Sequence, residues 1–159
     1  MIAYKYKLYR TDKTKHLDKM LREASFVWNH ALALQKRYYQ LYHKYIGIGR
    51  MKNHFVKHIG RCLLHSQTVQ EILERLDEAY MRFFKHISVR PPKFKKAKHF
   101  SSFLFKQGGF KLDGNKIRIN KISKTYKFSL SREYQGKVKT VKFKRSPLGE
   151  YYIIVTTDA

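Results

Sequence analysis

The chain has 159 residues, with 35 Lys and Arg against 11 Asp and Glu, a formal net charge of +24 and an isoelectric point near 10.2. Its 12 Tyr, 11 Phe and single Trp argue against intrinsic disorder. No apolar run approaches the ~18 residues of a membrane span, and MIAYKYKLYR has no signal-peptide core. The lone Cys62 excludes an internal disulfide framework and a four-cysteine zinc ribbon, and an excess of cations this large calls for a polyanionic partner.

Ile2 to Tyr9 alternates as a strand, with Tyr4, Tyr6 and Leu8 on one face and Lys5, Lys7 and Tyr9 on the other. A long amphipathic helix follows from a cap at Thr11 or Asp12 to about Tyr45. Its apolar stripe runs through Leu17, Met20, Leu21, Ala24, Val27, Trp28, Ala31, Leu34, Tyr38, Leu41, Tyr42 and Tyr45, and Gly47 and Gly49 end it. A shorter helix is expected over Met51 to Ile59, interrupted at Gly60. Ser66 caps a third, whose inner face carries Val69, Ile72, Leu73, Leu76, Tyr80, Phe83, Phe84 and Ile87.

Pro91-Pro92 cannot continue a helix, and beyond them the period becomes two. Strands are expected at Phe103–Lys106, Phe110–Leu112 and Lys116–Ile119, the last two joined by the turn Asp113-Gly114-Asn115. Further strands are expected at Lys127–Leu130, at Lys137–Lys144 (with a register slip at Thr140) and at Tyr151–Thr156. The first strand needs partners, and they come only from Phe103 onward, so the helical block reads as an insertion into a small antiparallel barrel or sheet.

The charge is uneven. Met81 to Lys127 holds 14 Lys and Arg and one acid, Asp113, whereas Leu63 to Tyr80 holds four acids and Arg75.

Several segments resemble one family: YKYKLYR (Tyr4–Arg10), ASFVWNHALALQKRYY (Ala24–Tyr39), SQTVQEILERLDEAYMRFFK (Ser66–Lys85), PPKFKK (Pro91–Lys96), QGGFKLDGNKIRINKI (Gln107–Ile122) and GKVKTVKFKR (Gly136–Arg145). In that order they are similar to the N-terminal half of TnpB, the insertion-sequence protein related to type V CRISPR effectors. The resemblance implies an α+β fold, in which a small antiparallel oligonucleotide-binding-like β-barrel, the wedge, carries a helical bundle inserted after its first strand. The expected division is residues 1–10 for the first wedge strand, 11–89 for the helical recognition domain and 90–159 for the remaining wedge strands.

The resemblance further implies binding of a guide RNA from the transposon end and of target double-stranded DNA with a short flanking motif. The family's RuvC nuclease and zinc ribbon should begin about where this sequence stops. Past Pro92 the only acids are Asp113, Glu133, Glu150 and Asp158, a poor set for two-metal cleavage. The expectation is a nucleic-acid-binding fragment without catalytic residues, metal or cofactor of its own. It leaves room for a nuclease half in trans. Its expected location is the bacterial or archaeal cytoplasm, with no membrane partner. The alternative reading is an RNA-independent DNA-binding regulator of helix-turn-helix type.

Lys93, Lys95, Lys96, Lys98, Lys111 and Lys116, with Arg90 and Arg118, are assigned to phosphate contact, because cations interleaved with aromatics suit a nucleic-acid backbone. Lys5 and Lys7 on the first strand join them. Most of Phe94, Phe100, Phe103, Phe105 and Phe110 are expected in the core, with no particular one assigned to stacking. Gln67 and Gln70 open the third helix and are candidates for adenine contact, as is Gln107, while Tyr39 falls off the apolar stripe and is a further candidate for nucleic-acid contact. His54, His58, Cys62 and His65 have zinc-like spacing, but four ligands strung along one helix cannot close a tetrahedron. Glu71, Glu74 and Glu78 read as a solvated face or as salt-bridge partners of the basic wedge.

Overall fold

The computed structural model describes residues 1–58 and 64–159. The expected break at Gly60, and Cys62 with its place in the histidine run, lie outside the described residues. Two compact units emerge: one built from Met1–Leu21 and Ser101–Ala159, the other from Arg22–Phe100. The chain is α+β.

The first unit carries the strands β1 (Ile2–Lys7), β2 (Ser102–Lys106), β3 (Phe110–Asp113), β4 (Lys116–Ile119), β5 (Lys124–Lys127), β6 (Val138–Arg145) and β7 (Tyr151–Thr157). An antiparallel sheet runs in the order β1-β7-β6-β2, so the first strand finds its partner in the last. Alternation decides which face is buried: Tyr4 and Tyr6 lie opposite Val155 and Ile153, and Phe103 lies opposite Phe143. All six are buried, and the Phe103 and Phe143 rings stack with centroids 5.2 Å apart. The slip expected at Thr140 is a bulge between Val138 and Thr140, which keeps Val141 and Phe143 on the core side.

A second antiparallel sheet has the order β3-β4-β5. The described strands therefore form two sheets, not one hydrogen-bonded closed barrel. Closure would need β2 to pair with β3, yet the turn through Gly108, at φ +93°, delivers β3 into the other sheet. The sheets meet where β1 ends. Leu8 bridges Phe128, Tyr9 N–H donates to the Lys127 carbonyl at 3.0 Å, and Ser129 N–H donates to that of Lys7 at 2.8 Å.

The opening turns of α1 (Thr14–Tyr42) complete this unit with Leu17, Met20 and Leu21, all fully buried. Asp18 accepts hydrogen bonds from the Tyr151 hydroxyl and, at 3.1 Å, from Arg145. Burial first, then the Asp18 carboxylate, pushes the Tyr151 hydroxyl far above the ordinary tyrosine range.

The second unit holds the rest of α1, then α2 (Ile48–His58) and α3 (Ser66–Phe84). Here the apolar stripe of α1 departs from expectation. Beyond Ala31 the buried residues are Leu32 and Gln35, whereas Leu41 and Tyr42 are 63% and 59% exposed. A polar side chain takes a core position that a hydrophobic pattern does not register. Gln35 is satisfied there by one residue: its amide donates to the Ile46 carbonyl at 2.7 Å and accepts from Ile46 N–H at 2.9 Å. Nor do the glycines end α1. His43 turns left-handed at φ +54° just past it, while Gly49 lies inside the first turn of α2. At α3 the N-cap is His65, not Ser66, with its Nδ1 accepting from Gln67 N–H at 3.2 Å, and Phe84 and Ile87, expected on its inner face, are exposed where the helix ends.

Candidate nucleic-acid interface

Cross-strand register assembles a strongly cationic surface on the first unit. In the β3-β4-β5 sheet Lys111, Arg118 and Thr125 form one row across the strands, and Asp113, Lys116 and Lys127 form the next. The opposite face buries Ile117, Ile119 and Tyr126, so alternation leaves these two rows turned outward. Burial pushes the Tyr126 hydroxyl up to about 12, and that hydroxyl donates to the Lys13 carbonyl at 3.3 Å. Lys13 Nζ in turn donates to the Thr125 carbonyl at 3.3 Å. The result is a cavity of about 620 Å³ walled by Lys13, Lys111, Lys116, Arg118 and Lys127, with Asp113 as its only acid.

Two of the register pairs set like charges directly opposite, Lys111 with Arg118 and Lys116 with Lys127. Such pairs destabilise an antiparallel sheet by a few tenths of a kcal/mol or more, roughly 0.2–1 each. A bound polyanion removes that repulsion. A fold that gathers cations against their own repulsion, in a concave site, has the electrostatics of a phosphate-binding surface.

The remaining assigned residues are dispersed. Lys5 and Lys7 project from β1; Lys5 Nζ lies 4.5 Å from the Tyr152 ring centroid, and Lys7 forms an exposed ion pair with Glu150 at 3.4 Å. A hydrogen bond from Tyr152, then Lys7, holds the Glu150 carboxyl below the usual range. Gln107 donates to the Val138 carbonyl at 3.2 Å. In the helical unit Gln70 is half-buried on α3, and Gln67 Oε1 is buried without a hydrogen-bond partner among the described residues. Tyr39 is 59% exposed, its ring edge-on to His43.

Arg90, Lys93, Lys95, Lys96 and Lys98 lie on the segment after α3, all exposed. Its backbone is tied to α1. Trp28 Nε1 donates to the Lys93 carbonyl at 2.9 Å, while Ser25 and Asn29 both donate to the Lys95 carbonyl at 2.8 Å. Lys95 also packs against the helix, with its Nζ 4.2 Å from the Trp28 ring centroid. Desolvation, and then Arg75, lower its pKa. Phe100, Phe103 and Phe105 are buried, as expected of core phenylalanines.

Three acids of α3 have partners within their own unit. Glu71 pairs with Arg75 at 2.7 Å, Glu74 with Lys52 at 2.8 Å, and Asp77 accepts from the Tyr45 hydroxyl at 2.6 Å. Past Pro92, Asp113 belongs to the hairpin, Glu150 pairs with Lys7, and Asp158 accepts from Lys137 N–H at 2.7 Å. Among the described residues no three His, Cys, Asp or Glu side chains converge as a metal site. Nor is any helix among them long and apolar enough to cross a membrane.

Sequence reasoning misses Lys13 and Lys127 as interface residues. By its local pattern Lys127 opens a strand, whereas it closes β5, and Lys13 belongs to a helix entry. Their convergence depends on cross-strand register and on the Lys13–Thr125 contact, which no local pattern encodes.

Comparison with known proteins finds two similarities. Residues 1–44 match the model of a helix-turn-helix domain, HTH_OrfB_IS605. The chain is also 32% identical to InsQ of Escherichia coli K12, a TnpB-family protein described as a candidate RNA-guided DNA endonuclease; the match covers 84% of this chain. Over most of its length the chain is thus similar to a TnpB-family protein. It spans about a third of that relative, 34% of InsQ's length. Within the stretch that matches the helix-turn-helix model, the chain folds as β1 and the single uninterrupted helix α1. A helix-turn-helix that docks on DNA needs two helices joined by a short turn.

Proposed function

We propose that this chain binds guide RNA through the β3-β4-β5 face, and target DNA through that RNA, without supplying the nuclease itself. The observation that carries the reading is the concave group of five cations, two pairs of which oppose each other across strands. The residues that line the cavity carry no exposed aromatic ring, so its contacts are to phosphate and sugar, and sequence is left to pairing by the RNA. Support for an oligonucleotide-binding-like wedge comes from the Leu8–Phe128 bridge, which links the two sheets into one open-sided run of strands. Gln70, with Gln67 and Gln107, is the proposed reader of a short motif beside the target. The RNA-independent regulator is less favoured, because residues 1–44 supply one helix and not two.

The test is electrophoretic titration with the transcript of the insertion sequence's own 3′ end and with a scrambled RNA of equal length, at ~0.3 M salt, where purely electrostatic binding is weakened. Tighter binding to the native transcript supports a guide-RNA role. Equal binding of both would reduce the chain to a general polyanion binder, and binding of DNA that survives ribonuclease treatment would favour the regulator.

A further inference from the structure

Phe94 stands apart from the other phenylalanines of the basic segment. It is 53% exposed, whereas Phe100, Phe103 and Phe105 are at most 2% exposed. Water contact over half of a phenyl ring is unfavourable, at about 25 cal/mol per Å² of apolar area, and a fold with core space nearby normally removes it. Here the backbone prevents that. The carbonyls of Lys93 and Lys95, on either side, are held by Trp28 and by Ser25 and Asn29, and Lys95 N–H donates to Asn29 Oδ1 at 2.8 Å. Trp28 and Ser25, two of these anchors, are themselves buried on α1. The ring is thus presented outward by a segment that is fixed before any ligand arrives, which reduces the entropy cost of binding.

The surroundings of the ring are cationic. Lys36 Nζ lies 4.7 Å from its centroid, and exposed Lys93 and Lys96 bracket it in sequence. An exposed aromatic held rigidly among lysines has the two parts that single-stranded nucleic acid uses, a π face for a base and cations for the flanking phosphates. We infer that Phe94 is a stacking platform for one unpaired nucleobase, with Lys36, Lys93 and Lys96 holding the adjoining backbone. This rests on the nucleic-acid reading above but concerns a different unit, and it assigns a base contact where the residues lining the β3-β4-β5 cavity offer none.

The experiment compares the full chain with Phe94→Ala and Phe94→Trp. Each is titrated with a short single-stranded RNA and with an abasic strand carrying the same phosphates. Phe94→Ala should bind the base-bearing strand roughly 5- to 100-fold more weakly and the abasic strand unchanged, while Phe94→Trp stays within about threefold of the parent. Unchanged affinity for the base-bearing strand would overturn the assignment, as would equal losses on both strands. A lower urea midpoint for Phe94→Ala would show a packing role instead. Failure of the parent chain to bind the abasic strand would count against the nucleic-acid reading itself, separately from the role of Phe94.

Discussion

Trp28→Ala is expected to lower the stability of the helical unit by about 3–5 kcal/mol, the usual cost of deleting a buried indole. The residue is 3% exposed on α1, and its Nε1 holds the Lys93 carbonyl at 2.9 Å while Lys95 Nζ lies over its ring. Its loss removes packing against Phe100, whose ring centroid is 6.5 Å away, and also frees the segment that carries Phe94. Domains are stable by only about 5–15 kcal/mol, so this one change removes roughly a fifth or more of the margin. Trp28→Phe keeps most of the buried ring and gives up the hydrogen bond, worth about 1 kcal/mol. Urea unfolding followed by circular dichroism checks both variants. A Trp28→Ala shift below about 1 kcal/mol would mean that the indole does not organise this unit.

The triple replacement of Lys111, Lys116 and Arg118 by alanine should act in the opposite manner, on binding and hardly on stability. Each phosphate contact contributes a slope of roughly 0.7–0.9 in log K against log salt, a factor of about 5–8 between 1 M and 0.1 M. Three lost contacts therefore predict about 100- to 500-fold weaker RNA binding at 0.1 M, and a salt dependence shallower by about 2–3. Stability should move by less than about 1 kcal/mol. The Lys111–Arg118 and Lys116–Lys127 repulsions disappear, offset by the lower strand propensity of alanine and by the loss of the Asp113–Lys116 attraction. Fluorescence anisotropy across a salt series, paired with urea unfolding, separates the two effects. An undiminished salt slope would place the phosphate contacts elsewhere.

Much of the strand layout is legible in the sequence because alternation and turn chemistry are local. Lys116–Ile119 lies as read, the Asp113-Gly114-Asn115 turn closes the β3-β4 hairpin with Gly114 at φ +58°, and the slip at Thr140 is a real bulge. Tyr4, Tyr6 and Leu8 are the buried face of the first strand and its continuation. Polar burial and polar capping are what a hydrophobic pattern cannot show. Gln35 occupies the core position next to Leu34 on α1, and His43 and His65 end and begin helices where glycine and serine were the expected residues. Of the candidate site, Lys111, Lys116 and Arg118 are readable from composition, but Lys13 and Lys127 join them only through pairing across strands. The exposure of Phe94 is likewise invisible, since it is decided by hydrogen bonds from α1, some 65 residues earlier in the chain.

Lysine footprinting tests whether the β3-β4-β5 face is where the chain holds RNA. The free chain and its RNA complex are acylated briefly at ~0.1 M salt, where phosphate contacts are strong, and modification is read residue by residue by mass spectrometry. Lys13, Lys111, Lys116 and Lys127 are expected to be protected together in the complex. Unchanged labelling of these four lysines in a saturated complex would contradict that placement.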